Sequence, residues 1–284
     1  MSGQQPTPAW VDQVRQHRIQ GLQQLEKQLD KYRQHIKLED ADLVHFGITT
    51  TEMDPITMVN SVPALFFRPF QNNLPSPDDD KVGKPFPLYG SDNRSRGTFD
   101  CINVIKRYIS SYNFLCTNDA FEQLKASKSK KAAEKWRRNS WEMLFVEDMD
   151  IPYVIQEINP VDWFANLANQ LPDPQYPQLL VFMDIKFDGD DKLLLAELLA
   201  IVRMMVTRLA SERGEGHTIA PVQLFSYMGR QHTRVIQAHY DERGLHINHS
   251  KLYDFTFKNC EGLDAMARFS LCTAVGNTIT DRQY

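Results

Sequence analysis

No run of apolar residues in this chain is long enough to cross a bilayer. The first residues, MSGQQPTPAWVDQ, lack the basic patch and apolar core of a secretory leader. The four cysteines, Cys101, Cys116, Cys260 and Cys272, never fall into a CxxC pair. That spacing argues against a zinc ribbon and for free thiols in a reducing compartment, so an intracellular protein of the cytoplasm or nucleus is expected. Neither GxGxxG nor GxxxxGK[ST] occurs, which argues against the common phosphate loops. Ser226, in LFSYMG, lacks the GxSxG turn that lifts a nucleophile out of a sheet. There is no excess of positive charge either: the net charge is −4 and the pI about 6.1, so any nucleic-acid contact has to come from a local patch.

What is present centres on Leu179–Phe187, LLVFMDIKF. A run rich in Val, Ile and Phe reads as a strand covered on both faces. Its far end carries Asp184 and Lys186, which period-two alternation places on one face, about 7 Å apart. Charge in such a strand is costly unless it is paired or bound to a metal.

In chain order, Ala9 to about Leu38 is a helix with Leu22, Leu25, Leu29, Tyr32 and Ile36 in a heptad-like stripe interrupted by Gly21. It is the best candidate for a homodimer contact. Gln71–Ser95 combines Pro, Asp, Gly and Ser and reads as a flexible loop, with Asp78–Asp80 a solvated acidic run. A helix is predicted over Thr98–Phe121 and a second over Lys125–Phe145. The second begins with the basic stretch of Lys125, Lys128, Lys130, Lys131, Lys135, Arg137 and Arg138, a candidate phosphate-backbone contact or a solvated face, and ends with Glu142. Asp162–Leu171 reads as a short helix capped by Asp162. LPDPQYPQ is a turn. A helix apolar on nearly every side, and so central, follows from Lys192 to Glu212, with Glu197 expected to pair with Arg203. Ile219–Met228 reads as a strand. Thr233–Tyr240 and Leu245–His249 form a hairpin turning at DERG, with Gly244 left-handed. His239, His246 and His249 fall in it, and two of them could face each other across the strands. A three-histidine metal site is disfavoured, because His246 and His249 differ by an odd number and point to opposite faces. Cys260–Ala274 reads as a closing helix.

Pro172-Asp173, followed by Asp184-Ile185-Lys186, resembles the PD-(D/E)XK nuclease pattern. The order of helix, two or three strands, helix and strand from Lys125 to about Tyr240 is similar to the core of that superfamily, which also holds members without catalysis. The resemblance implies an α/β (α+β) fold, a central mixed sheet flanked by helices like a restriction endonuclease. It would span residues 98–284, behind an N-terminal helical extension over 1–70 and a loop over 71–97. It also implies roles. Asp173 and Asp184 would hold Mg²⁺ or Mn²⁺, with Glu142 assisting from the first core helix, and Asp162 would be the alternative first carboxylate. Lys186 would orient the attacking water. Carboxylate oxygens suit hard cations, and phosphodiester hydrolysis needs charge neutralisation and a positioned hydroxide. The competing expectation is a non-catalytic module on the same core that binds protein or nucleic acid, possibly as a dimer, since fold does not fix function.

Overall fold

The computed structural model describes residues 8–54, 65–90, 97–127, 140–145, 156–157 and 163–279. In chain order the elements are α1 (Ala9–Asp30), α2 (Asp40–His45), β1 (Ile48–Glu52), β2 (Phe67–Arg68), α3 (Asp79–Val82) and α4 (Thr98–Ser127). Then come β3 (Glu142–Phe145), β4 (Gln156–Glu157), β5 (Trp163–Gln170), β6 (Leu179–Ile185) and α5 (Leu195–Ala210). The chain closes with β7 (Val222–Met228), β8 (His232–Asp241), β9 (Gly244–His249), β10 (Tyr253–Asp254), α6 (Cys260–Ser270) and β11 (Thr273–Ala274).

Among the described residues nine strands form one mixed sheet in the order β1–β9–β8–β7–β6–β5–β3, with β10 added to β8 and β4 to β5. β6 and β7 run parallel, joined through α5, and so do β1 and β9; the other pairings are antiparallel. Alternation along β6 sorts its side chains onto two cores. Leu179, Val181, Met183 and Ile185 join the core beneath α1 and α5, and Leu180 joins the core beneath α4 and α6. The fold is therefore α+β, a large sheet between two helical layers. Each fully buried Leu, Ile, Val, Phe or Met contributes roughly 1.5–3 kcal/mol to holding those layers.

α5 is buried on every side because it lies between α1 and the sheet. Two of its three charged residues are matched by opposite charges from elsewhere, and the third, Arg208, donates to the Gln170 side chain at 2.9 Å. Glu197 pairs with Arg234 of β8 at 2.8 Å and not, as expected, with Arg203. Arg203 instead reaches Glu26 of α1 at 2.7 Å. Buried charges need such partners, and here the partners come from neighbouring layers, which sequence proximity does not reveal.

Several expectations change. The N-terminal helix packs on the core: α1 lies on α5, β1 joins the sheet at β9, and β2 pairs with β11. Leu22, Leu25 and Leu29 are buried inside the chain, so this stripe is not a dimer seam. Gly21 is a close-approach point, because a Cβ there would collide with the Tyr240 hydroxyl. The supposed loop carries α3, capped by Asp78. Asp79 beside it accepts from Tyr108 at 2.7 Å, from Lys258 at 2.6 Å and from the Phe86 amide at 3.1 Å. Asp162–Leu171 is not a helix: Trp163–Gln170 is β5, paired with β3 and β4 on one side and β6 on the other. Pairing on both edges overrides the helical leaning of its Ala and Leu residues. α6 ends at Ser270, and Thr273–Ala274 is a strand.

Candidate functional site

Asp184 sits at the far end of β6, between Phe164 of β5 and Tyr227 of β7. It is 2% exposed. Lys106, which reaches down from α4, donates to both of its oxygens at 2.6 and 2.8 Å. The same ammonium stands 5.4 Å from the centre of the Tyr227 ring. Burial pushes the Asp184 carboxyl above its ordinary pKa, against the opposing pull of Lys106. Lys106 was not among the residues singled out from sequence. A signal existed: four residues after Ile102 and three before Ile109, it interrupts the apolar face of its helix.

The other expected members of the site lie elsewhere. β5 and β6 form an antiparallel hairpin, and Asp173 is in its turn, next to the Gln170–Leu179 pair. Asp184 is five residues further along β6, roughly 17 Å away at strand rise. Asp173 is engaged locally, accepting from the Gln175 amide at 3.0 Å and its side chain at 2.7 Å. Glu142 lies in β3 and not on a helix, exposed and paired with Gln170, so it too is at the turn end. Asp173 and Glu142 therefore do not converge on Asp184. Lys186 follows β6 directly and is exposed. Asp162 and the basic residues Lys128, Lys130, Lys131, Lys135, Arg137 and Arg138 lie outside the described residues.

Beside Asp184 a groove of about 860 Å³ opens between α4, the β3–β5–β6 face and the Ser270–Ala274 segment. Phe182, Tyr227 and Trp141 line it together with Lys106, Arg107 and Phe114 of α4. Amides and hydroxyls, including Asn103, Asn113, Asn169 and Ser110, are interspersed. No carboxylate is among its described lining residues. Phe114 is 68% exposed, an unusual position for a large aromatic side chain.

A second polar cluster lies in the β8–β9 hairpin. His239 and His246 face each other across the strands with rings 4.6 Å apart and nearly parallel. Asp241, two residues beyond His239, accepts from or shares a proton with His246 Nε2 at 2.8 Å. Burial, with His246 adding to it, pushes His239 down to about 4, so its ring is neutral near pH 7. Among the described residues this trio is the one group of three or more nitrogen, sulfur or carboxylate ligands that comes together.

The chain matches no protein-family model, no curated protein and no solved structure. Among the described residues no helix is long and apolar enough to cross a membrane.

Proposed function

We propose that the chain is a non-catalytic binding module that takes unpaired nucleic acid in the groove beside α4. The observation that carries this reading is the groove's lining: the exposed Arg107 beside the ion-paired Lys106, the exposed ring of Phe114 with the half-buried Trp141, Tyr176 and Phe182, amides and hydroxyls, and no described carboxylate. Unpaired bases stack on aromatic faces, amides read their edges, and cations track the phosphates. The basic stretch from Lys128 to Arg138 supports it, because in sequence it joins Leu124 to Ser140, and both of those residues line the groove. The test is a fluorescence-anisotropy titration of the chain with labelled single-stranded and duplex oligonucleotides. Saturable binding of the single strand, weakened in Phe114→Ala and Arg107→Glu, is expected. Equal affinity of wild type and both variants would overturn the assignment.

A second reading keeps phosphodiester cleavage. In its favour, α4, the strands β3 to β6, α5 and β7 run in the helix, strands, helix and strand order of the PD-(D/E)XK core. Asp184 and Lys186 also stand at the end of β6, as that pattern asks. Against it, Lys106 already neutralises Asp184, and Asp173 and Glu142 are at the other end of the hairpin. Incubation with mixed nucleic acids and Mg²⁺ or Mn²⁺ separates the readings. Cleavage lost in Asp184→Asn and Lys186→Ala would favour the enzyme, and binding without cleavage favours the module.

A further inference from the structure

The hairpin cluster is independent of the groove. His239 and His246 are register partners on β8 and β9, so strand geometry sends both rings to one face. Asp241 shares that face because it is two residues beyond His239. One donor atom from each of the three lies within 4.8 Å of the others. Zinc ligands at about 2.0–2.1 Å stand roughly 3.4 Å apart in a tetrahedron, so small side-chain rotations would close the set. The trio borders a cavity of about 200 Å³ whose other lining includes Thr49, Thr51 and Asn248, with room for a further oxygen ligand.

The surroundings fit a metal better than a simple clip. Asp241 is held by the Arg243 amide at 2.8 Å, and Thr49 Oγ1 lies 2.8 Å from His246 Nδ1. That hydroxyl orients the ring as second partners of metal-bound histidines do. A hydrogen-bonded clip between strands needs only Thr49, His246 and Asp241. It leaves unexplained why a second imidazole, His239, is buried between Phe66 and the His246 ring.

We propose that His239, Asp241 and His246 form a binding site for a first-row divalent transition metal, with zinc the ion best suited to two imidazoles and one carboxylate. Magnesium, which prefers an all-oxygen shell, is excluded by the nitrogen donors. Three protein ligands leave a position open for water or a small anion.

The test uses the full chain freed of metal with chelator. Zn²⁺ is titrated by calorimetry, and Co²⁺ by the visible bands that report coordination. One saturable ion is expected, with excess Mg²⁺ failing to compete. Affinity should fall roughly tenfold or more in His246→Gln and in Asp241→Asn. His249→Gln, altered three residues along β9 on the other face, should bind as wild type. Circular dichroism checks folding. Should Asp241→Asn unfold, His246→Gln decides alone, since that ring is partly exposed. Absence of a saturable ion overturns the proposal, and so does unchanged affinity in His246→Gln, which would assign the binding to other side chains.

Discussion

The ammonium of Lys106 contacts both oxygens of Asp184, at 2.6 and 2.8 Å, and so joins α4 to the middle of the sheet by one ion pair. Removing one partner of such a pair strands the other charge. Lys106→Met is expected to lose about 3–5 kcal/mol, measured by urea unfolding at neutral pH. Lys106→Met with Asp184→Leu should recover much of that loss. The sign with pH follows from the raised carboxyl. A carboxyl raised on folding contributes stability below its unfolded pKa of 3.8, and that contribution is lost as pH rises through the folded value. Without Lys106 the folded value rises further, so the deficit of Lys106→Met should grow as pH rises above the unfolded value.

If the groove holds a single strand, its affinity should fall with salt. The slope of log K against log salt is about −0.7 for each phosphate neutralised. Arg107→Glu should lessen that slope by about 0.7 or more. Phe114→Ala should instead weaken binding by about 1–3 kcal/mol with the slope unchanged, the mark of a lost stacking surface.

Arg234 is expected to tolerate no neutral replacement. It grips Glu197 with two bonds of 2.8 Å and also donates to the carbonyls of Asp190 at 3.0 Å and Lys192 at 2.6 Å. Arg234→Met should cost at least about 3–5 kcal/mol. Adding Glu197→Leu should restore only part, because the two carbonyls stay unserved. Chemical denaturation of the single and double variants measures this.

His217 supplies a pH-dependent element at the other end of the sheet. It is buried, 3.1 Å from the Pro174 carbonyl and 2.7 Å from Thr278 Oγ1. The Pro174 carbonyl can only accept, so Nε2 carries the proton and Nδ1 accepts from the threonine hydroxyl. Burial holds the ring below its ordinary pKa of 6.5. Stability from this residue is therefore present above pH 6.5 and lost as pH falls through the folded value. His217→Gln should flatten the decline of the melting temperature below pH 6.5, followed in chelator-treated buffer.

The strands and helices with undivided signals were legible: β6 from its apolar run, α5 from apolarity on every side, and the β8–β9 hairpin with Gly244 at positive φ. β3 and β5 were not, because Ala, Leu, Met, Gln and Glu favour helices locally and only the neighbouring strands hold them extended. At the site, Asp184 was identified as the charge needing a partner, but the partner came from Lys106, 78 residues earlier. Asp173 was read in the turn where it lies, but the convergence on Asp184 that the resemblance implied took no account of the length of the hairpin between them. In the His cluster the facing pair was foreseen, while Asp241 was absorbed into the turn that follows it.

β1 joins β9 with partners 197 residues apart, as Thr49 beside His246 shows. During synthesis the N-terminal segment leaves the ribosome long before its mate exists. The newborn chain must therefore carry the greasy side of α1 until α5 is made, and the unsatisfied amides of β1 until the β8–β9 hairpin emerges. Such distant closure slows folding and leaves the half-made chain open to aggregation.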